Sequence, residues 1–281
     1  MDITRPPGFS EPRGDAPRSE VSYDSILLSH GVKTRRAFLL LHGLTASPRQ
    51  FESFGRILYE RGSNVYIPRL PRHGLTDRLT TALAHLTADE LLEFSNDATD
   101  ATEPLGDEVV VVGFSVGGLL SAVIGQYRAV ARSVSIAPFL GVAWLPRRLT
   151  TRVLRIALRA PNQFWWWDPL LRERQQPEHG YPRFATHAVA HAAGLGSRLF
   201  RDAARSKPAA RDVRIVLNQS ETTVSNHAAR RLAALWAARS PERTVLHRLK
   251  GLPPSHDIIE PMRSPQIVRA VYPALVDLVD S

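Results

Sequence analysis

The chain has no cysteine, only two methionines, and only three lysines (Lys33, Lys207 and Lys250) among its 281 residues. Without cysteine there is no disulfide scaffold, thiolate metal site or cysteine nucleophile, which agrees with a reducing compartment. No stretch approaches the roughly eighteen consecutive apolar residues that a membrane-spanning helix needs. There is no H-E-x-x-H and no similarly spaced set of histidines and carboxylates, so metal hydrolysis is not indicated and no metal or organic cofactor is expected. Helix-turn-helix, zinc-finger and basic-aromatic strand patterns are missing too.

Positive charge is plentiful: 36 Lys and Arg stand against 27 Asp and Glu, giving +9. Such a charge can steer anionic partners. The charges are spread along the chain with acids between them, so the expectation is an arginine-rich surface with no specific nucleic-acid partner. Residues 1–20 alternate charge with Pro6, Pro7, Pro12 and Pro17 and hold no apolar run of the secretory type. They predict a flexible arm over 1–19 on a cytoplasmic protein. With 43% apolar residues, a chain of this length can build one substantial core.

Short β-rich runs alternate with longer helical patterns, which predicts an α/β fold with a mostly parallel sheet flanked by helices. Strands are expected near 21–28, at Ala37–His42, Val65–Ile67, Val109–Val112, Val130–Ala137, Val213–Leu217 and Thr244–Leu249. Thr87-Ala-Asp-Glu90 has the spacing of a helix capping box. A helix should run from about Ser225 to Ala238, and a last one from near Glu260. Between Phe139 and Ala209 the rhythm changes. Leu149, Val153, Ile156 and Ala160 fit an amphipathic helix ended by Pro161, and Trp165-Trp-Trp167 follows. The interval 139–209 is predicted to be a helical cap inserted into a core formed by 20–138 and 210–281.

Gly113-Phe-Ser115-Val-Gly117 sits between the most apolar β-branched run and a helical pattern. In that context G-x-S-x-G projects a serine hydroxyl over the sheet edge from a tight turn. It lacks the G-x-G-x-x-G spacing of a dinucleotide site and the lysine of a P-loop. A neutral hydroxyl needs a general base. His256, in Pro254-Ser-His-Asp257 after the last expected strand, is the best candidate. His42 precedes Gly43 at an oxyanion-type loop and reads as a positioning residue. Glu221, in a strand-to-helix loop, is the candidate orienting acid. Asp257 is expected to shape its loop, and Asp212 belongs at the opposite sheet edge.

Leu40-Leu-His-Gly-Leu-Thr-Ala-Ser47, Gly113–Gly118, Glu221-Thr-Thr-Val-Ser225 and Ser255-His-Asp257 together resemble the α/β-hydrolases of the carboxylesterase and monoglyceride-lipase-like group, over about residues 20–280. The resemblance implies that the backbone N–H groups of Leu44 and Val116 form the oxyanion hole. It also implies that the insertion acts as a cap. Two departures stand out. The common D-x-x-V becomes Glu221-Thr-Thr-Val224, and the common P-G-H-G becomes Pro71-Arg-His-Gly74, which bears on the shape of that loop.

The expected activity is serine carboxylic-ester hydrolysis through an acyl-enzyme. The expected partner is a small-molecule ester with an apolar acyl or alkyl group, and Trp144, Phe164, Trp165, Trp166 and Trp167 are candidate lining residues. Thioester or N-terminal peptide hydrolysis would use the same triad. A hydrolase fold retained for binding alone is the alternative of another class. The sequence carries no signal for an oligomeric state.

Overall fold

The computed structural model describes residues 6–12, 17, 20–141, 143, 156–175 and 179–280. Along the chain come β1 (Ile26–Leu28), β2 (Thr34–Leu41), α1 (Arg49–Glu60), β3 (Asn64–Ile67), α2 (Ala88–Thr102), β4 (Gly106–Phe114), α3 (Val116–Tyr127) and β5 (Arg132–Ile136). The inserted segment contains β6 (Phe164–Trp166) and β7 (Arg183–Ala185). Then follow α4 (Thr186–Ala203), β8 (Val213–Asn218), α5 (Asn226–Ala237), β9 (Thr244–Leu249) and α6 (Pro265–Asp280).

Seven strands form one sheet in the order β1-β3-β2-β4-β5-β8-β9. β1 runs antiparallel to β3, and every other neighbouring pair is parallel. Parallel neighbours need crossovers, and crossover helices cover both sheet faces. The central strands are therefore apolar on both sides: Phe38 to Leu41 and Val110 to Val112 are all buried. Helix α3 lies deepest, with every residue from Val116 to Gln126 buried. Such a helix must be apolar all round rather than amphipathic. Helix α4 packs on α2 and α3, and its Ala188, Ala192, Leu195, Leu199 and Phe200 join the same core as the sheet. Among the described residues no helix is long and apolar enough to cross a membrane.

The capping box forms as expected: the Thr87 hydroxyl accepts from the Glu90 amide and the Glu90 carboxylate from the Thr87 amide. Other elements differ from expectation. The last helix begins at Pro265, not near Glu260. Pro265 has no N–H to donate to the Pro261 carbonyl, as a helix running on from Glu260 would require, and a proline suits the first turn of a helix. In the insertion, Leu149 and Val153 lie outside the described residues, and 156–159 are helical up to the bend before Pro161. The tryptophan run is extended: β6 pairs antiparallel with β7, with Trp165 opposite Phe184. Within the N-terminal arm, Phe9 lays its ring edge against Tyr66 at 5.3 Å.

At the sheet edge opposite Ser115, three arginines on β2, β5 and β8 receive the C-terminus of α6. Arg36 donates to the Asp280 carbonyl, Arg132 to the Val279 carbonyl at 2.8 Å, and Arg214 to the Leu278 carbonyl at 2.6 Å. The last carbonyls of a helix have no partner within it and carry partial negative charge, so guanidinium groups are suited to this end. Asp212 is bound by Arg132 and Arg214, and Glu108 by Arg36.

Candidate active site

Strand β4 ends at Phe114 and α3 begins at Val116, so Ser115 makes the whole turn between them. Its φ of 56° with ψ of −114° is a conformation that side chains rarely adopt. The chain passes so close to itself here that a Cβ on Gly113 would lie 1.9 Å from the Gly117 carbonyl oxygen, and one on Gly117 would lie 1.9 Å from that of Leu41. Only glycine fits either position. The strained serine is fixed from both sides, its N–H donating to the Ile136 carbonyl at 3.0 Å and its carbonyl accepting from Phe139 at 2.8 Å.

His256 stands on the loop after β9, and Glu221 on the loop between β8 and α5. The His256 Nε2 lies 3.0 Å from Ser115 Oγ, and its Nδ1 lies 2.8 Å from Glu221 Oε2. The Glu221 side chain is fully buried. Its other oxygen accepts from the amides of Thr223 at 2.7 Å and Val224 at 3.4 Å. Burial pushes this carboxyl's pKa up, but the His256 hydrogen bond and charge, with the two amides, outweigh it and hold the pKa below the ordinary glutamate value. An ionised Glu221 makes Nδ1 the protonated nitrogen, which leaves the Nε2 lone pair facing the serine hydroxyl.

Asp257 is next in sequence but faces elsewhere. One oxygen accepts from the Ile259 and Glu260 amides, both at 3.0 Å, and the other from Gln50 Nε2 at 2.9 Å. Asp212 is at the far edge with its arginines.

The loop after β2 presents its amides selectively. Gly43 N–H donates to Gln50 Oε1 at 2.8 Å and Thr45 N–H to His73 Nε2 at 3.0 Å. Between them, Leu44 N–H has no acceptor among the described residues. Val116 N–H is the first of α3, has no acceptor within the helix, and has none elsewhere among the described residues. Two unpaired donors thus lie near Ser115, one of them at the positive end of α3.

His42 and His73 hold this arrangement from below. His42 accepts the Leu70 amide on Nε2 at 3.1 Å and donates from Nδ1 to the Gly43 carbonyl at 2.9 Å. Burial, reinforced by His73, keeps its pKa well below the ordinary histidine value. His73 donates from Nδ1 to the Pro71 carbonyl at 2.7 Å, so its Nε2 is free to accept from Thr45. In the same loop Arg72, where glycine is common in the resembled family, has φ 65°. That left-handed shape suits glycine; here it is kept by an arginine whose side chain pairs with Glu90 at 3.1 Å.

Above Ser115 is a cleft of about 180 Å³, with Leu44, Ala46, Phe114 and Trp167 forming its apolar wall and His256, Asp257 and Arg263 among its polar lining. Trp167 is fixed by its indole N–H, which donates to Thr45 Oγ1 at 2.8 Å. The other candidate lining residues are placed differently. Trp144 lies outside the described residues. Phe164 lies beneath the Arg183 guanidinium at 4.3 Å, Trp166 is 5.8 Å from the same group, and Trp165 is 57% exposed. None of these three bounds the cleft. Among the described residues no cluster of three or more His, Asp or Glu could hold a metal ion.

Sequence reasoning missed Gln50, His73 and Thr45 as the groups that hold the loop after β2, and missed Arg263 as a lining residue of the cleft. Only His73 left a signal, through its place in the Pro71–Gly74 loop; the others act through contacts across many elements.

Three comparisons bear on this geometry. A sequence search of curated proteins finds no significant match. Among solved structures, the chain is similar to a monoacylglycerol lipase from Paleococcus ferrophilus, with TM-score 0.67 and 18% identity over 90% of this chain and 98% of that one. It is similar to a soluble variant of monoglyceride lipase from Saccharomyces cerevisiae (TM-score 0.63, 13% identity, 91% of this chain and 90% of that one). A structure reported with the metagenome-derived lipolytic enzymes LipS and LipT has TM-score 0.61 and 20% identity over 91% of this chain and 98% of that one. At these identities the likeness shows the fold. The model of the alpha/beta hydrolase family matches residues 38–268. The chain belongs to the alpha/beta hydrolase family.

Proposed function

We propose that the protein is a serine carboxylic-ester hydrolase working through an acyl-enzyme, with Ser115 as nucleophile, His256 as general base and Glu221 as orienting acid. The observation that carries this reading is the unbroken relay from Glu221 Oε2 through the His256 ring to Ser115 Oγ, with separations of 2.8 and 3.0 Å. In the first half-reaction the Ser115 oxygen attacks the ester carbonyl carbon while His256 Nε2 takes the hydroxyl proton. Negative charge develops on the carbonyl oxygen and is met by the N–H groups of Leu44 and Val116. His256 then gives its proton to the departing alcohol. Water, deprotonated by the same nitrogen, attacks the acyl-serine and releases the acid.

The apolar wall of Leu44, Ala46, Phe114 and Trp167 favours an alkyl or acyl chain beside the scissile bond. The inserted segment serves as the cap, and Trp167 is the tryptophan of the cluster that meets substrate. The lipolytic names of the similar structures agree with an ester substrate.

Steady-state hydrolysis of p-nitrophenyl esters of graded chain length tests the reading. Ser115→Ala and His256→Ala are expected to lose turnover by about 10³-fold or more while keeping native circular dichroism. Trp167→Leu is expected to change the chain-length profile of kcat/KM more than Trp165→Leu does. Wild-type turnover by folded Ser115→Ala would end the proposal.

A further inference from the structure

Charged residues of both signs occur along the whole chain, but their net positive excess falls largely in one part of it. Residues 139–209 hold twelve arginines and lysines against four acids, so this interval carries eight of the nine net charges. Its described part touches the catalytic edge directly: Trp167 donates to the Thr45 hydroxyl, and Tyr181 N–H donates to the Thr45 carbonyl at 2.7 Å.

A cation also stands in the cleft itself. Arg263, on the loop between His256 and α6, lines the cleft with Ser115 and is exposed. It makes no hydrogen bond or ion pair with any described residue. The carboxylate that shares the lining, Asp257, has its oxygens engaged by Gln50 and two backbone amides. The guanidinium thus lies beside an apolar wall without a direct ion pair to any described residue.

Resting on the reading of this cleft as an ester-hydrolysing site, we propose that its substrates are esters whose apolar chain bears an anionic group, a carboxylate or a phosphate, with Arg263 as the specificity-determining counter-charge. A guanidinium offers paired N–H donors that match either oxyanion, and such charge-assisted bonds are among the stronger polar contacts. The net positive charge of the interval 139–209 adds a longer-range attraction for anions. An uncharged ester of the same length gains only the apolar wall.

The test compares kcat/KM for p-nitrophenyl hexanoate, the p-nitrophenyl monoester of adipic acid, and the matching ester ending in a phosphate. Wild type is expected to prefer an anionic ester, and the preference should shrink as ionic strength rises. Arg263→Gln should lower the anionic-to-neutral ratio by about tenfold or more, mainly through KM, and Arg263→Lys should retain part of it. The anion with the larger loss is the one the site takes. A wild-type preference for the neutral ester, or a ratio that Arg263→Gln leaves unchanged, would overturn the proposal. If folded wild type hydrolyses none of the three, the hydrolytic reading has failed, and the anion site is then judged by binding. Saturable tryptophan quenching by adipate or by hexyl phosphate, lost in Arg263→Gln, would support it, and no such binding would refute it.

Discussion

Glu221 and Asp257 carry the same charge within two loops of one histidine, and their surroundings separate them. Glu221 is buried and spends one oxygen on the imidazole, whereas Asp257 ties its loop to Gln50 and to two amides. Glu221→Gln should therefore lower kcat by about 10³- to 10⁴-fold with a near-native fold, because an amide can stabilise the wrong imidazole tautomer. Asp257→Asn should cost less than tenfold in kcat and instead destabilise by roughly 1–3 kcal/mol, since its new N–H₂ faces the Gln50 donor. Comparing kcat and urea midpoints for the two variants checks this; a larger kcat loss for Asp257→Asn would exchange their roles. Ser115 and its glycines were legible because their spacing is local and answers to one tight turn. The Gln50–Asp257 contact was not, because it joins side chains 207 positions apart and no local pattern encodes such a meeting.

Among the elements, the loops around Ser115 combine strain with a buried histidine whose pKa is lowered. His42 has a folded pKa well below the ordinary 6.5. As pH falls through about 6.5 the unfolded chain takes up a proton that the folded chain refuses. The stability contributed by neutral His42 is thus fully present above that pH and is lost as pH falls toward the folded value. Glu221 acts in the same direction lower down: its contribution is present above the ordinary glutamate value of 4.5 and is lost as pH falls through its depressed folded pKa. Thermal unfolding between neutral and mildly acid pH should accordingly show Tm falling with pH, and His42→Asn should flatten the upper part of that slope. An unchanged slope would place the titration elsewhere. Sequence reading did well on strands whose apolar character is continuous, such as the Ala37–Leu41 part of β2 and the valine run of β4. It failed where tertiary contacts decide: strand β7 recruits the tryptophans into a ribbon that no local pattern announces.

Across the whole molecule, α6 ties the two sheet edges together. It leaves the His256 loop at Pro265 and ends in the carbonyls held by Arg36, Arg132 and Arg214. Arg214→Met removes a bond to the Leu278 carbonyl and the pairing with Asp212. A loss of about 1–3 kcal/mol in unfolding free energy is expected, with kcat/KM unchanged at temperatures where the variant stays folded. A drop in kcat/KM for the folded variant would show that α6 also sets the position of His256. The central claim concerns the opposite edge, and intact mass measurement after treatment with a serine-directed fluorophosphonate tests it most directly. One adduct per chain, mapped by peptide analysis to Ser115, absent in Ser115→Ala and much slower in His256→Ala, is the expected result. An adduct that persists in Ser115→Ala, or native wild type that never labels, would contradict it.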